Sequence, residues 1–289
     1  MHGTLTRASR PALVIAIAVV GAMLAACGGS NSSATTTPAA STAGASAAAS
    51  LSGTITVMAA SSLTDAFSKE AVAFQKAHPG ARVTFNFAGS PTLVTQLDQG
   101  APADVLATAD EKNMKTAADK ALVAQPARIF ARNRLVIVVP RSNPGGIRSP
   151  QDLAKPGLKI VLAQTGVPVG DYARQALTKM DADASYGAGF SQKALANLVS
   201  EEANVKSVVA KVQLGEADAG IVYRTDITPG VASDVTAVDV PDAFNVIASY
   251  PIAVTKDASK PDVAAAFIEF ILSAAGQQIL ADAGFMSAQ

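Results

Sequence analysis

The sequence predicts an α/β protein of two lobes built on mostly parallel sheets. Three observations lead there. β-Branched and apolar runs recur from Thr54 to Val254 at strand length. Most of them are separated by an amphipathic helical stretch rather than by a hairpin turn, the order that gives parallel sheets with ligands outside the carboxyl ends of the strands. The chain beyond residue 26 is 263 residues long, more than one ordinary core needs and suited to two lobes of about 100 to 150 residues each.

The first 26 residues do not belong to that fold. Arg7 and Arg10 precede a short apolar run, Ala12 to Leu24, and small residues lead into Cys27. A basic start followed by an apolar run of this length reads as a secretory signal, too short and wrongly flanked for a membrane-spanning helix. The ending Leu24-Ala25-Ala26-Cys27 resembles a bacterial lipobox, in which the cysteine is lipidated and becomes the first residue of the mature chain. Cys27 is the only cysteine, so a disulfide framework or a cysteine metal site has no material. From Gly28 to Ser50 the composition is almost wholly Gly, Ser, Ala and Thr, which cannot bury a core and reads as a flexible tether.

Charge excludes one class of partner. The chain has 23 basic and 23 acidic residues, and removal of Arg7 and Arg10 with the signal leaves a net charge of −2. Aromatic residues make up 5% and tryptophan is absent, so nucleic acid is not an expected partner.

The strand-like runs are Thr54 to Ala60, Val83 to Ala88, Ala103 to Ala109, Leu135 to Pro140, Lys159 to Ala163, Ala219 to Tyr223, Val235 to Val240 and Ile247 to Val254. Leu63, Phe67, Ala71 and Phe74 share one face of the first helix, and Val205, Val208, Val209 and Val212 follow the i, i+3, i+4, i+7 stripe of a later one. The last helices are expected at Pro261 to Leu272 and Gly276 to Ala283. No internal sequence repeat is visible.

Four segments deliver helix starts of one kind. In Met58 to Phe67 the strand stops at Ala60, Ser62 is placed as N-cap, and Asp65 completes a capping-box spacing. In Phe87 to Leu97 Ser90 is placed as cap, with Pro91 at the first helical position. Thr165 to Leu177 brings Val169 and Gly170 to a helix start. In Glu201 to Gly215 Asn204 caps, Val205 opens the helix and Gly215 ends it. Each start exposes unpaired N–H groups at the positive end of a helix dipole. One such start is an ordinary cap; several converging on a cleft would offer an anion neutral donors without Lys or Arg.

These motifs carry a resemblance. Ala59 to Phe67, Phe87 to Leu97 followed by Gly100 to Asp110, Val167 to Ala173, Gly215 to Asp226, Tyr250 to Val254 and Gly276 to Phe285 are similar, in order and spacing, to the molybdate-binding proteins of ABC importers. That resemblance implies a two-lobed periplasmic-binding-protein fold of type II. It implies lobe I from 52–131 plus 245–289 and lobe II from 132–244, after a signal at 1–26 and a lipidated linker at 27–51. The oxyanion ligands it implies are Ser62 and Ser90 in lobe I and Val169, Val205 and Tyr223 in lobe II, the valines through backbone N–H groups and the others through hydroxyls. Metal would thus enter as molybdate or tungstate, with no resident cofactor. The expected partners are that anion, a membrane permease and, through Cys27, the outer face of the cell membrane, with the chain acting as a monomer. Sulfate, phosphate and iron binders share the architecture, so another oxyanion such as sulfate or phosphate is the alternative ligand. Asp171 would repel an anion beside it and is expected to face solvent, as a first-turn acid.

An enzyme has little to work with. Beyond the signal the only histidine is His78, in a His-Pro-Gly turn, and no G-x-S-x-G elbow occurs. Porphobilinogen-polymerising enzymes have similar lobes but need a cysteine inside the fold.

Overall fold

The structure is a computed structural model and describes residues 51–288. The signal, Cys27 and nearly all of the tether expected from the sequence lie outside these described residues.

The chain runs β1 (Gly53–Ala60), α1 (Thr64–Ala77), β2 (Ala81–Ala88), α2 (Ser90–Asp98), β3 (Val105–Ala107), α3 (Glu111–Asp119) and β4 (Arg128–Asn133). It continues through β5 (Leu135–Pro140), β6 (Ile160–Ala163), α4 (Pro168–Asp181), α5 (Phe190–Ala196), β7 (Leu198–Glu202), α6 (Val205–Gln213), β8 (Ala219–Tyr223) and β9 (Val235–Asp239). It closes with β10 (Ala248–Val254), α7 (Pro261–Leu272) and α8 (Ala274–Asp282). The strands form two five-stranded sheets, ordered β2-β1-β3-β10-β4 and β7-β6-β8-β5-β9.

Both sheets have one plan. Three strands pair in parallel, a fourth joins them antiparallel, and the fifth pairs antiparallel with the fourth. Four strands of each sheet therefore share a direction, which is the sense in which the sheets are mostly parallel; their pairing is mixed. The reversed strands, β5 and β10, begin just after the chain has crossed from one sheet to the other. A strand that enters from the opposite lobe runs against its new neighbours. The two lobes thus repeat a topology that the sequence does not repeat.

Two strands were missing from the sequence reading, β4 and β7. Both lie at sheet edges and carry charge, Arg128 and Arg132 in one, Glu201 and Glu202 in the other. Charged edges deter further strand pairing but erase the apolar pattern by which a strand is read. β5 is the opposite case, with all six residues buried.

Helices cover the sheets through apolar faces. Phe67 and Phe74 of α1 are fully buried and meet Phe130 and Phe267, with ring centroids 5.5 Å apart for Phe67–Phe130 and 5.2 Å for Phe74–Phe267. The valine stripe of α6, Val205, Val208, Val209 and Val212, is buried as its spacing predicts. Gly215 follows that helix at φ +72°, where a Cβ would be strained.

Candidate functional site

Register decides what meets at the strand ends. Ala60 of β1 pairs with Ala88 of β2, and Ala59 pairs with Ala107 of β3, so the segments that follow all three emerge side by side. In the second sheet Ala163 of β6 pairs with Glu202 of β7, which brings the starts of α4 and α6 together. These ends face each other across a small pocket, lined from the first sheet by Ser61, Ser62, Gly89, Ser90 and Ala109. From the second it is lined by Val167, Pro168, Val169, Val205 and Tyr223. All five residues singled out in the sequence are in this one lining.

Ser62 and Ser90 do not serve as the caps expected of them. Beyond β1 the chain tightens into a 3-10 turn, Ser61–Leu63, so α1 starts only at Thr64 and has no side-chain cap. The Ser62 hydroxyl instead lies 3.0 Å from the Tyr250 hydroxyl. Ser90 is itself the first residue of α2, with Gly89 in the cap position and Pro91 second. Its Oγ accepts the Ala109 N–H at 3.1 Å, which leaves the Ser90 proton free to be given elsewhere. Both serines are buried.

The second lobe follows its sequence more closely. Asn204 caps α6 by accepting the Ser207 N–H at 3.0 Å, and Val205 is the first helical residue. Val169 is the second residue of α4, after Pro168. Ser90, Val169 and Val205 thus occupy first-turn positions, whose N–H groups have no acceptor within their own helix. Gly170 must be glycine, because a Cβ there would sit 2.3 Å from the Ala163 carbonyl oxygen.

Tyr223 ends β8, is 1% exposed, and its hydroxyl has no hydrogen-bond partner among the described residues. The Tyr250 ring lies 5.8 Å away and its hydroxyl is close enough to that of Tyr223 for the two to interact, but no hydrogen bond of normal geometry joins them. Burial, and then its neighbours Tyr250 and Tyr172, push the Tyr223 hydroxyl well above its ordinary pKa, so it is a donor at every physiological pH.

Charge is kept out of the lining. Asp171 does not face solvent as expected: its carboxylate accepts the Gly166 N–H at 2.8 Å and pairs with Lys112 at 3.0 Å. That pair joins α3, beside the first sheet, to α4, beside the second. Lys206 of α6 likewise reaches Asp65 of α1 at 2.7 Å, and Asn113 Nδ2 donates to the Gly166 carbonyl at 3.3 Å. The lobes are therefore in contact around the mouth of the pocket. Among the described residues no group of three His, Cys, Asp or Glu side chains could hold a metal ion.

Three buried residues behind the pocket escaped the sequence reading. Asp226 accepts the Tyr223 N–H at 3.0 Å, and burial, offset by Lys206 at 4.0 Å, raises its pKa to about 6. Tyr250 and Asn133 stand behind Ser62. Tyr250 and Asp226 fall inside the motifs that carry the resemblance, which was the available signal; nothing local marks Asn133.

Two lobes joined by two crossovers and enclosing a small pocket lined by neutral donors define a solute-binding protein of the two-lobed class. This chain belongs to the family of bacterial extracellular solute-binding proteins, whose model matches residues 55–286. The molybdate-binding protein ModA of Mycobacterium tuberculosis (strain ATCC 25618 / H37Rv) is 43% identical over 232 residues, covering 80% of this chain and 84% of that protein. The structure of the Azotobacter vinelandii periplasmic molybdate-binding protein superposes with a TM-score of 0.69 at 21% identity, covering 81% of this chain and all of that one. The sulfate-binding protein SubI of Mycobacterium tuberculosis H37Rv superposes with a TM-score of 0.73 at 20% identity, covering 82% and 87%, so the fold alone does not choose the anion.

Proposed function

We propose that this chain is an extracytoplasmic receptor that binds molybdate, and tungstate with it, for delivery to the permease of an ABC importer. It works by binding and catalyses no reaction. The observation that carries this reading is the Tyr223 hydroxyl, a buried donor without a partner, aimed at the place where several helix starts meet. Leaving such a group unpaired is costly, and a tetrahedral dianion would satisfy it together with the hydroxyls of Ser62 and Ser90 and the N–H groups of Val169 and Val205. Identity of 43% with a molybdate-binding protein favours molybdate over the other oxyanions that such folds hold.

The chain acts as a monomer with two moving lobes, 52–131 plus 245–289 and 132–244, hinged where it crosses between sheets. Cys27, lipidated, would hold the protein at the outer face of the membrane, with the Gly-Ser-Ala-Thr segment as tether.

Titration calorimetry at neutral pH with molybdate, tungstate, sulfate and phosphate tests the assignment. Hydrogen phosphate carries a proton that needs an acceptor, and the lining offers donors. Molybdate and tungstate should bind at least about tenfold more tightly than sulfate or phosphate. Phosphate or sulfate binding as tight as molybdate would overturn the reading.

A further inference from the structure

We propose that Tyr250 and Asn133 are positioning residues that fix the polarity of the Ser62 hydroxyl, so that it gives a hydrogen bond to the bound anion and cannot accept one. This rests on the reading of the pocket as an oxyanion site and names the residues that set its selectivity.

The polarity begins at Asn133, the last residue of β4, which is fully buried. Its Oδ1 accepts the Arg134 N–H at 2.9 Å, which settles which way the amide is turned. The amide nitrogen therefore faces the Thr225 hydroxyl at 2.8 Å and the Tyr250 hydroxyl at 3.4 Å, and an amide nitrogen only donates. The Tyr250 oxygen, receiving that proton, must send its own to another acceptor. Tyr250 is fully buried, with the hydroxyls of Ser62 and Tyr223 beside its own; Ser62 Oγ at 3.0 Å has normal hydrogen-bond geometry and the Tyr223 oxygen does not. Were Ser62 the donor instead, the phenol proton would be left with the Tyr223 oxygen, to which it makes no hydrogen bond of normal geometry, the more costly arrangement. With its oxygen engaged from behind, Ser62 has its own proton left for the pocket it lines.

The chain is rigidly held. The Tyr250 ring packs edge-on against Phe285 at 5.5 Å and Phe130 at 6.2 Å, so the phenol has little freedom to turn away. At its far end Thr225 lies two residues beyond Tyr223, and this ties the segments bearing the two hydroxyl donors of opposite lobes. A donor-only Ser62 suits an unprotonated dianion. A Ser62 free to reverse could accept the proton of hydrogen phosphate, so the polarity of this chain sets the discrimination.

A double-mutant cycle read by calorimetry tests this, with molybdate and inorganic phosphate as ligands. Tyr250→Phe keeps the ring and removes the hydroxyl. It should weaken molybdate binding about tenfold in the wild-type background and by less than about twofold when Ser62→Ala is already present. It should also narrow the preference for molybdate over phosphate. Asn133→Asp, nearly isosteric, replaces the donor by an acceptor, lets the chain reverse, and should cost more molybdate affinity than Tyr250→Phe. Equal losses of Tyr250→Phe in both backgrounds, equal losses for both anions, or full binding by Asn133→Asp would each overturn the proposal. If the wild-type chain binds sulfate and not molybdate, the molybdate reading fails, and the same cycle run with sulfate still decides the role of Tyr250. Binding of none of these anions overturns both.

Discussion

At the scale of single residues, the pocket sets function against stability. The Tyr223 hydroxyl is buried without a partner, so Tyr223→Phe should leave the ligand-free protein as stable as before or slightly more so. The same change should weaken molybdate binding by about 1.5 to 3 kcal/mol, the scale of a hydrogen bond to a charged group. Thermal unfolding without ligand and calorimetry with it check the two halves; a variant that binds normally would remove Tyr223 from the site. Glu70 raises a separate question of pH. It is fully buried in α1, neither carboxylate oxygen has a partner among the described residues, and burial lifts its pKa to about 8. The folded chain therefore holds this proton more tightly than the unfolded one, and stability is lost as pH rises from about 4.5 to about 8. Glu70→Gln should stabilise by on the order of 5 kcal/mol above pH 8 and change little near pH 4, which denaturant titration at both pH values measures. A gain that is equal at both would show that Glu70 is not the titrating group.

Among the elements, the starts of α2 and α6 approach from opposite lobes, and Gly89 is where they nearly touch. Its backbone, φ −64° and ψ 142°, is open to any residue, yet a Cβ there would lie 2.4 Å from the Ala203 carbonyl oxygen of the other lobe. Gly89→Ala should therefore fold normally and resist closure. Molybdate affinity should drop by about tenfold or more, while the ligand-free melting temperature moves by no more than a few degrees. A large loss of stability with binding intact would show that the contact belongs to the fold and not to closure. The same comparison shows why the cap readings of Ser62 and Ser90 failed while that of Asn204 held. Asn204 Oδ1 is engaged within its own helix start, by the N–H and hydroxyl of Ser207, whereas the serines are engaged by Tyr250 and by the Ala109 N–H, groups that only the folded sheet brings near.

On the scale of the whole molecule, two ion pairs straddle the pocket mouth, Lys112–Asp171 and Lys206–Asp65. Lys112 is 71% exposed and Asp65 52%, so each pair contributes at most about 1 kcal/mol and is screened by salt. Raising the salt from 0.05 to 0.5 M should therefore weaken binding by only a fewfold. Closure itself should appear in small-angle scattering as a smaller radius of gyration when molybdate is added. A radius unchanged at saturating ligand would mean that the lobes do not move on binding.

The sequence by itself determined the α/β alternation, the buried valine stripe of α6 with its Asn204 cap, and the segments from which the pocket is built. Those are local matters of periodicity, cap chemistry and motif spacing, each written within about 15 residues. It also held, through the motif resemblance, the five residues that line one pocket. The tertiary structure alone decided the rest. The edge strands β4 and β7 carry charges that hide their pattern, and the reversal of β5 and β10 follows from a chain crossing between sheets. The hydrogen-bond chain from Asn133 through Tyr250 to Ser62 joins residues 117 and 188 positions apart, and the pairing of Asp171 with Lys112 spans 59. No local rule reaches that far, because which proton a buried hydroxyl gives away depends on the groups that folding packs behind it.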